Sequence, residues 1–202
     1  MLAWWKNNKQ VANGLLGIEI GPEGIALAHV QRSPGQPVQL RHCLFRPGTP
    51  EQQPELLKGL VAELGLAGMP VNFVLHPALY QMLLLDCPDV PADELRDALR
   101  WRIKDLISEP LEQVQVDAFA LPEDAYRGRS RMAYCAVLGK SHLAGWKALL
   151  KHAGLRLQSI DVTEMAFRNL GLQAGAEGLN LGLLRLRSSE GLICIQQGAD
   201  LY

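Results

Sequence analysis

The chain has 202 residues, of which 48% are hydrophobic and 20% charged, and its formal net charge is −1. This composition is typical of a globular protein with one or two domains. The near-neutral charge argues against a general nucleic-acid binder, which needs a basic face. No apolar run reaches the roughly 18–20 residues of a membrane span. Polar residues 6–9 interrupt the N-terminus before the apolar core of a signal peptide could form.

Cysteine and histidine usage indicates a reduced, intracellular protein without a metal site. The cysteines at positions 43, 87, 135 and 194 form no CxxC pair, and the five histidines form no ligand cluster beside them. Small buried thiols are therefore the expected state of these cysteines.

The first part of the chain, taken in order, predicts a tail and then an antiparallel meander. Residues 1–14 are predicted to be a tail, either a loose arm or, through Trp4 and Trp5, a contact with a membrane interface. Turn signals separate three apolar runs, which predict strands over 15–20, 25–30 and 38–45. A helix over 55–64 and a buried strand over 71–75 follow. This order is similar to the opening half of an actin-like (ribonuclease H-like) nucleotide-binding domain.

The next stretch predicts the order βαββαβ, which is typical of a ferredoxin-like subdomain. The helix after Pro91 carries an apolar stripe, and the helix that ends at Gly154 carries another. The predicted strands cover residues 80–85, 112–121, 131–138 and 155–162. The predicted fold class is therefore α/β (α+β), with this subdomain, residues 78–157, inserted into an actin-like subdomain made of residues 15–77 and 158–202.

The last part predicts a helix that starts near Asp161 and then a hairpin over 179–186 and 191–196. The chain stops at Tyr202, where a third strand of the hairpin sheet is expected. An actin-like fold is completed by a second domain that closes over its cleft. We therefore expect that second domain to be truncated in this sequence.

One segment resembles a known protein family. Residues 89–117, and within them the string Trp-Arg-Ile-Lys-Asp-Leu-Ile at 101–107, resemble the PilM-type proteins of type IV pilus biogenesis. Within that family they look closest to MshI, of the mannose-sensitive hemagglutinin (MSHA) pilus. The resemblance implies an actin- and FtsA-like fold, with the type II secretion protein GspL as a relative. It also implies a scaffold at the cytoplasmic face of the bacterial inner membrane, which holds the short cytoplasmic tail of a bitopic, PilN-like pilus protein and contacts other components of the pilus machine.

The positions that bind nucleotide in the actin-like superfamily are only partly kept. Such a site needs two Asp-x-Gly hairpins, since a carboxylate organises Mg²⁺ and glycine lets backbone N–H groups reach phosphate. Glu19 and Gly21 match the first hairpin and are predicted to be its vestige, although Pro22 removes a backbone donor. Leu184 and Leu186 occupy the positions of the aspartate and the glycine in the second hairpin. We therefore expect no catalytic residues and no required cofactor, while binding of ATP and Mg²⁺ without turnover stays open.

Three functions are compatible with these residues. The first is an adaptor that takes a peptide in a groove between the subdomains, with Leu83, Leu85 and Trp101 as candidate lining residues. The second is an actin-like ATPase whose second half is missing from this sequence, which would need Glu19 and Gly21. The third is a filament-forming protein. The leucines at 184 and 186 favour the adaptor. Arg185 and Arg187 are expected to point outward into solvent.

Overall fold

The structure is a computed structural model that describes residues 14–31, 33, 35–126, 130–173, 178–187 and 190–202. The predicted tail, with Trp4 and Trp5, lies outside the described residues except for residue 14. The chain divides into two compact units. One consists of the described residues up to His76 together with Gly145–Asp161, and the other consists of Pro77–Ala144 together with Val162–Tyr202.

The described residues form eleven strands and four helices, which confirms the predicted mixed α/β class. The strands are β1 (Leu15–Gly21), β2 (Gly24–Gln31), β3 (Gln39–Pro47), β4 (Pro70–Leu75), β5 (Gln81–Asp86), β6 (Val114–Ala120), β7 (Met132–Gly139), β8 (Arg156–Val162), β9 (Asn180–Leu186), β10 (Gly191–Gln197) and β11 (Asp200–Leu201). The helices are α1 (Gln53–Glu63), α2 (Leu95–Arg102), α3 (Lys140–His152) and α4 (Thr163–Gln173).

The first unit is organised around a five-stranded sheet with the strand order β3-β2-β1-β4-β8. Strands β1, β2 and β3 form the predicted antiparallel meander, and β4 lies parallel to β1. Leu16, Ile18 and Ile20 alternate along β1 and are buried. Because side chains alternate between the faces of a strand, Glu19 and Gly21 lie on the opposite face.

Helix α1 begins close to a proline, which suits the first turn because its missing N–H would have no partner there. The helix contacts β2 and buries Leu57, Leu60 and Val61. Their spacing of three and four residues keeps them on one helical face. The ring of Phe73 in β4 lies 5.5 Å from the ring of Trp146 in α3. The apolar periodicity therefore identified residues that are buried in this unit.

The second unit contains a three-stranded antiparallel sheet in which β7 lies between β5 and β6. One face of β7 packs in an apolar cluster with α2. That cluster includes Cys135 of the strand, Leu95 and Leu99 of the helix, and Ile103 at the C-cap of the helix. The apolar stripe that predicted this helix is therefore the face that packs against the sheet.

The opposite face of β7 belongs to a second apolar cluster. Met132 contributes to it from β7, Met165 from α4, and Cys194 and Leu201 from β10 and β11. Strands β9, β10 and β11 form their own antiparallel sheet, so the hairpin predicted over 179–186 and 191–196 is confirmed. Burial raises the pKa of both Cys135 and Cys194 to about 11, so both stay protonated thiols near neutral pH.

The predicted βαββαβ order is present along the chain, but its last strand does not join the sheet of the other three. β8 pairs in the five-stranded sheet beside β4, so the inserted sheet has three strands among the described residues. The amide of Gly68 donates to the carbonyl of Gly154 at 2.7 Å, and the amide of Arg156 donates to the carbonyl of Met69 at 3.0 Å. These hydrogen bonds join the start of β8 to the start of β4. Alternation of side chains identifies a strand but does not choose its partner.

We expect Leu99→Ala to lower the free energy of unfolding by about 2–5 kcal/mol, because Leu99 is fully buried between α2 and its sheet. Leu106→Ala is the matched control, since Leu106 is largely exposed, and it should change stability by no more than about 0.5 kcal/mol. Urea unfolding monitored by circular dichroism measures both. Equal losses for the two variants would contradict the packing of α2 described above.

Candidate functional site

The β1–β2 hairpin carries the first predicted site, Glu19 and Gly21. The hairpin closes between Gly21 and Gly24, which are partners in the strand register. Gly24 has a φ of +153°, and a Cβ there would lie 2.2 Å from the carbonyl oxygen of Arg46. The amide of Gly48 donates to the carbonyl of Glu23 at 3.0 Å. The hairpin is thus held closely by the loop that follows β3.

Gly21 lies against two buried polar side chains. Its carbonyl accepts a hydrogen bond of 2.7 Å from Nε2 of Gln53 in α1. A Cβ on Gly21 would lie 2.7 Å from Cδ2 of His76, which is closer than van der Waals contact allows. Glycine is therefore required here by the approach of the imidazole, whether or not a ligand ever binds. Glu19 lies two residues earlier on the same face and is half-buried, opposite Ala26 and Val74 in the register.

The second set of predicted positions, Leu184 and Leu186, forms an exposed apolar surface. Their exposed fractions are 59% and 75%. Leu184 lies opposite Ile193 in β10, and Ile195 extends the same face. This face presents hydrocarbon where a magnesium site needs oxygen ligands. Among the described residues no group of three or more histidine, cysteine, aspartate or glutamate side chains is arranged to hold a metal ion.

The expectation that Arg185 points outward into solvent is wrong. Nη2 of Arg185 lies 3.0 Å from Oε1 of Glu190, and only 14% of the arginine side chain is exposed. The guanidinium also lies 5.6 Å from the centre of the Phe167 ring. Nη1 of Arg187 lies 3.4 Å from the same glutamate oxygen. Arg185 shares the inward face of β9 with Leu183, and Glu190 offsets its charge there.

The second unit contains a pocket of about 150 Å³ at one end of its three-stranded sheet. The register places Gln81 opposite Val137 and Val114 opposite Gly139, so all three strands contribute to it. The apolar lining residues are Ala78, Leu79, Ile107, Val114 and Val137. The polar lining residues are Tyr80, Gln81, Ser108, Glu109 and His142. Because pockets for whole small molecules enclose about 300–1,000 Å³, this one suits a single side chain rather than a nucleotide.

Two polar lining residues of the pocket pack closely around Gly139. A Cβ on Gly139 would lie 3.0 Å from Oε2 of Glu109 and 3.2 Å from Cδ2 of His142. The hydroxyl of Tyr80 donates to Oε2 of Glu164 at 2.5 Å. Burial, reinforced by that carboxylate, raises the pKa of Tyr80 far above its usual value. The phenol therefore keeps its proton at any physiological pH, and its orientation is fixed.

The predicted lining residues are not the ones that form this pocket. Leu83 and Leu85 pack against the cluster under α2, and Trp101 lies on the outer face of α2 with 74% of its surface exposed. Sequence reasoning did not identify Glu109 and His142, which come from a loop and from the first turn of α3. A signal for them was the glycine at the end of β7, since a strand glycine often marks close packing.

Comparisons with known proteins bear on the fold. No protein-family model matches the sequence, and no curated protein matches it. Among solved structures, the PilM–PilN type IV pilus biogenesis complex matches with a TM-score of 0.73 and 21% identity, over 93% of this chain and 59% of that one. The chain thus spans 59% of the length of that neighbour.

Two further structures are similar. The cytoplasmic domain of EpsL, an inner-membrane component of the type II secretion system of Vibrio cholerae, matches with a TM-score of 0.55 and 14% identity, over 89% of this chain and 70% of that one. A Bacteroides thetaiotaomicron protein of actin-like ATPase fold and unknown function matches with a TM-score of 0.53 and 11% identity, over 94% of this chain and 67% of that one. The fold is actin-like. The actin-like class predicted from the order of elements is confirmed.

No helix in the described part of the chain is long and apolar enough to cross a bilayer.

We expect Gly21→Ala to lower the free energy of unfolding by about 1–3 kcal/mol, because the new methyl group would overlap the ring of His76. Gly17→Ala is the matched control, since Gly17 lies on the same face of β1 with nothing within 4 Å of its Cβ position. That variant should be neutral or stabilising by up to about 1 kcal/mol. Urea titration distinguishes the two, and a Gly21→Ala variant as stable as Gly17→Ala would contradict the position of His76.

Glu190→Gln should lower the free energy of unfolding by about 1–3 kcal/mol, because it removes the negative charge that lies 3.0 Å from the largely buried guanidinium of Arg185. Asp97→Asn removes a carboxylate from the exposed pair with Arg96 and should leave the unfolding midpoint nearly unchanged. Thermal unfolding of both variants in the same buffer provides the comparison. A loss for Asp97→Asn that equals the loss for Glu190→Gln would contradict the burial of the Arg185 pair.

Proposed function

We propose that the protein is a non-catalytic adaptor of a type IV pilus assembly machine, of the MSHA type that MshI serves. In this proposal it works at the cytoplasmic face of the inner membrane. It binds the short cytoplasmic tail of a PilN-like inner-membrane pilus protein and contacts other components of the machine. It needs no cofactor and does not bind nucleic acid.

The main support is the likeness to the protein of the PilM–PilN complex, which extends over 93% of this chain. That neighbour belongs to a complex of pilus-biogenesis proteins, and the EpsL domain belongs to an inner-membrane component of a secretion system. An actin-like fold in an assembly machine is thus found in both. The string at 101–107 supports the MSHA assignment.

The pocket of the second unit supports binding of a peptide. Three apolar side chains, those of Ile107, Val114 and Val137, line it together with the carboxylate of Glu109. The pocket has room for one side chain of an extended peptide, and the carboxylate would favour a cation or a backbone N–H group of that peptide. In the sheet order, β5 and β6 are edge strands, which gives an extended peptide a place to add.

The two hairpins support the absence of catalysis. Hydrolysis in an actin-like site depends on carboxylates that organise Mg²⁺ and water. The side chains of Leu184 and Leu186 have no oxygen that could bind Mg²⁺ or water. The space next to the Cα of Gly21 is occupied by the ring of His76. The alternative function is an actin-like nucleotide-binding ATPase. Glu19, which lies on the same face of β1 as Gly21, is the observation that favours it.

Calorimetric titration tests the proposal. The protein is titrated with peptides from the cytoplasmic tails of candidate inner-membrane pilus proteins and, in a parallel experiment, with Mg-ATP. We expect saturable heat with one peptide and none with Mg-ATP. Ser108→Trp should weaken peptide binding at least about tenfold, because it adds bulk to the lining of a pocket with room for one side chain. Glu109→Gln should weaken it several-fold, whereas Glu112→Gln, an exposed glutamate outside the pocket, should leave it unchanged.

Two outcomes would count against the adaptor. Heat from Mg-ATP that disappears in Glu19→Ala, with no heat from any peptide, would support the nucleotide-binding alternative. Peptide binding that Ser108→Trp and Glu109→Gln leave intact would move the peptide site away from this pocket.

A further inference from the structure

An apolar surface lies on the outer face of β2 and β3 in the first unit. The opposite face of β2 carries Ile25 and Leu27, which are buried in the core. On the outer face the register pairs three residues of β2 with three of β3: Ala26 with Phe45, Ala28 with Cys43 and, beyond a bulge, Val30 with Leu40. Paired residues of neighbouring strands share a face. We call these six residues the β2–β3 face.

The largest side chains of the β2–β3 face are its most exposed ones. The exposed fraction is 60% for Leu40 and 51% for Phe45, and Cys43 between them is exposed as well. Strand β3 lies at the edge of its sheet. Because an apolar face on an edge strand is a place where another segment packs or pairs, this face is a candidate docking surface.

The middle of the face is shallow because its side chains are small. Cys43, Ala28 and Gly17 lie in one row across β3, β2 and β1. Nothing lies within 4 Å of the position that a Cβ on Gly17 would take. Cζ of Phe45 would lie 2.8 Å from a Cβ on Gly24, so the ring leans toward the β1–β2 turn and away from this row. A flat, large ring such as an indole fits a row of this kind.

The charges around the face balance one another. Glu19 of β1 lies opposite Ala26 and supplies a carboxylate at one border. Arg41, at the bulge of β3, supplies a guanidinium at the other, and its Nε donates to Oε1 of Gln31 at 2.7 Å. Arg46 belongs to the opposite face of β3 and pairs with a glutamate of α1. Since the six residues of the face are themselves uncharged near neutral pH, the face favours an apolar partner over a strongly charged one.

The segment that precedes β1 has an apolar end. Residues 1–13 lie outside the described residues. Their sequence places Leu2, Trp4 and Trp5 close together, followed by two lysines, and it contains no acidic residue. An extended chain spans about 3.3 Å per residue, so the stretch from Trp5 to Gly14 covers up to about 30 Å.

The chain enters β1 close to the β2–β3 face. Leu15 and Leu40 lie opposite the same residue of β2, so two strand spacings, about 10 Å, separate them. The other face of the sheet is closed at this end, because a Cβ on Gly14 would lie 2.7 Å from Nε2 of His29 and 2.9 Å from Cε of Met69. Both observations favour a path from Gly14 back over the β2–β3 face.

We propose that the β2–β3 face is the docking surface of the chain's own N-terminal segment, and that Trp4 and Trp5 are the side chains that cover it. An indole ring over the row of small side chains would also contact Phe45, and aromatic pairs of this kind add to the burial of apolar area. Docked in this way, the two tryptophans cover protein and not a membrane interface. The face shares no residue with the pocket of the second unit, so its test does not depend on the proposed function.

Alkylation of Cys43 by iodoacetamide, read by mass spectrometry of the peptide that contains it, reports whether the face is covered. We expect Trp4→Ala combined with Trp5→Ala, in the full chain, to raise the alkylation rate of Cys43 at least about fivefold, because the reactivity of a thiol follows its access. Cys87 is half-buried in the second unit, and its rate should stay the same.

Two controls separate docking from other causes. Lys6→Gln combined with Lys9→Gln changes the same segment but keeps both indole rings, so the rate at Cys43 should stay within about twofold of wild type. Cys135 and Cys194 are buried. Both should stay unmodified in every variant, which shows that a faster reaction at Cys43 does not come from unfolding.

The indole N–H resonances of Trp4 and Trp5, followed by NMR on the 15N-labelled protein, test the same contact from the other side. Their loss in Trp4→Phe and in Trp5→Phe assigns them. We expect Phe45→Ala to move them toward their positions in a synthetic peptide of residues 1–13, because it removes an aromatic contact of the face. Leu170→Ala removes a side chain of α4 that is 58% exposed and should leave them in place.

Several results would overturn the proposal. Equal alkylation of Cys43 with and without the two tryptophans is one, and indole resonances that match the free peptide in the wild-type protein are another. Protection of Cys43 that grows with protein concentration would assign the face to a second copy of the chain instead. Indole resonances that match the free peptide in buffer and disappear with phosphatidylglycerol vesicles would assign the tryptophans to lipid instead.

Discussion

The fold depends on the hydrogen bonds that return the chain to the five-stranded sheet after β4. The amide of Gly68 bonds to the carbonyl of Gly154, and the amide of Arg156 bonds to the carbonyl of Met69. Nε of Arg156 adds a bond of 3.0 Å to the carbonyl of Gly68. These contacts place β8 beside β4. All residues of the inserted sheet lie in the chain between β4 and β8, and the entropic cost of closing such a long loop grows only slowly with its length.

Within the second unit, β7 has a corresponding role because each of its faces belongs to a separate apolar cluster. Cys135 packs with α2 on one side, and Met132 packs with α4 and β10 on the other. A strand that is buried on both faces has little freedom to shift its register. The pocket lies at the end of this strand, at Val137 and Gly139, so its walls are set by the most constrained element of the unit.

Much of the fold could be predicted because side-chain alternation and helical spacing report directly which residues face a core. The meander at β1–β3, the stripe of α2 and the β9–β10 hairpin were all identified in this way. The partner of β8 was not, since periodicity carries no information about which sheet edge a strand meets. Arg185 was misplaced for a related reason: its charge suggested solvent, while its register in β9 placed it inward, where Glu190 offsets the charge.

The candidate sites were harder to predict than the fold because they combine residues from distant parts of the chain. Glu19 and Gly21 were predicted as a vestigial site from their spacing next to one turn, and the structure adds that His76, which follows β4, lies against Gly21. The pocket joins Tyr80, Glu109 and His142, which no spacing in the sequence connects. Their proximity follows only from the register of three strands and the start of α3.

The pocket is connected to α2 through one short segment of the chain. The carbonyl of Leu111 accepts the hydrogen bond from Arg100 of α2, and the chain then runs directly into β6, whose first residue, Val114, lines the pocket. Leu111 is itself buried in the cluster under α2. Because a packed core resists compression and transmits strain, a ligand that displaced Val114 would strain the packing of α2 on its sheet. A movement of α2 on its sheet would break the hydrogen bonds that Arg100 and Arg102 donate to the carbonyls of Leu111 and Asp86.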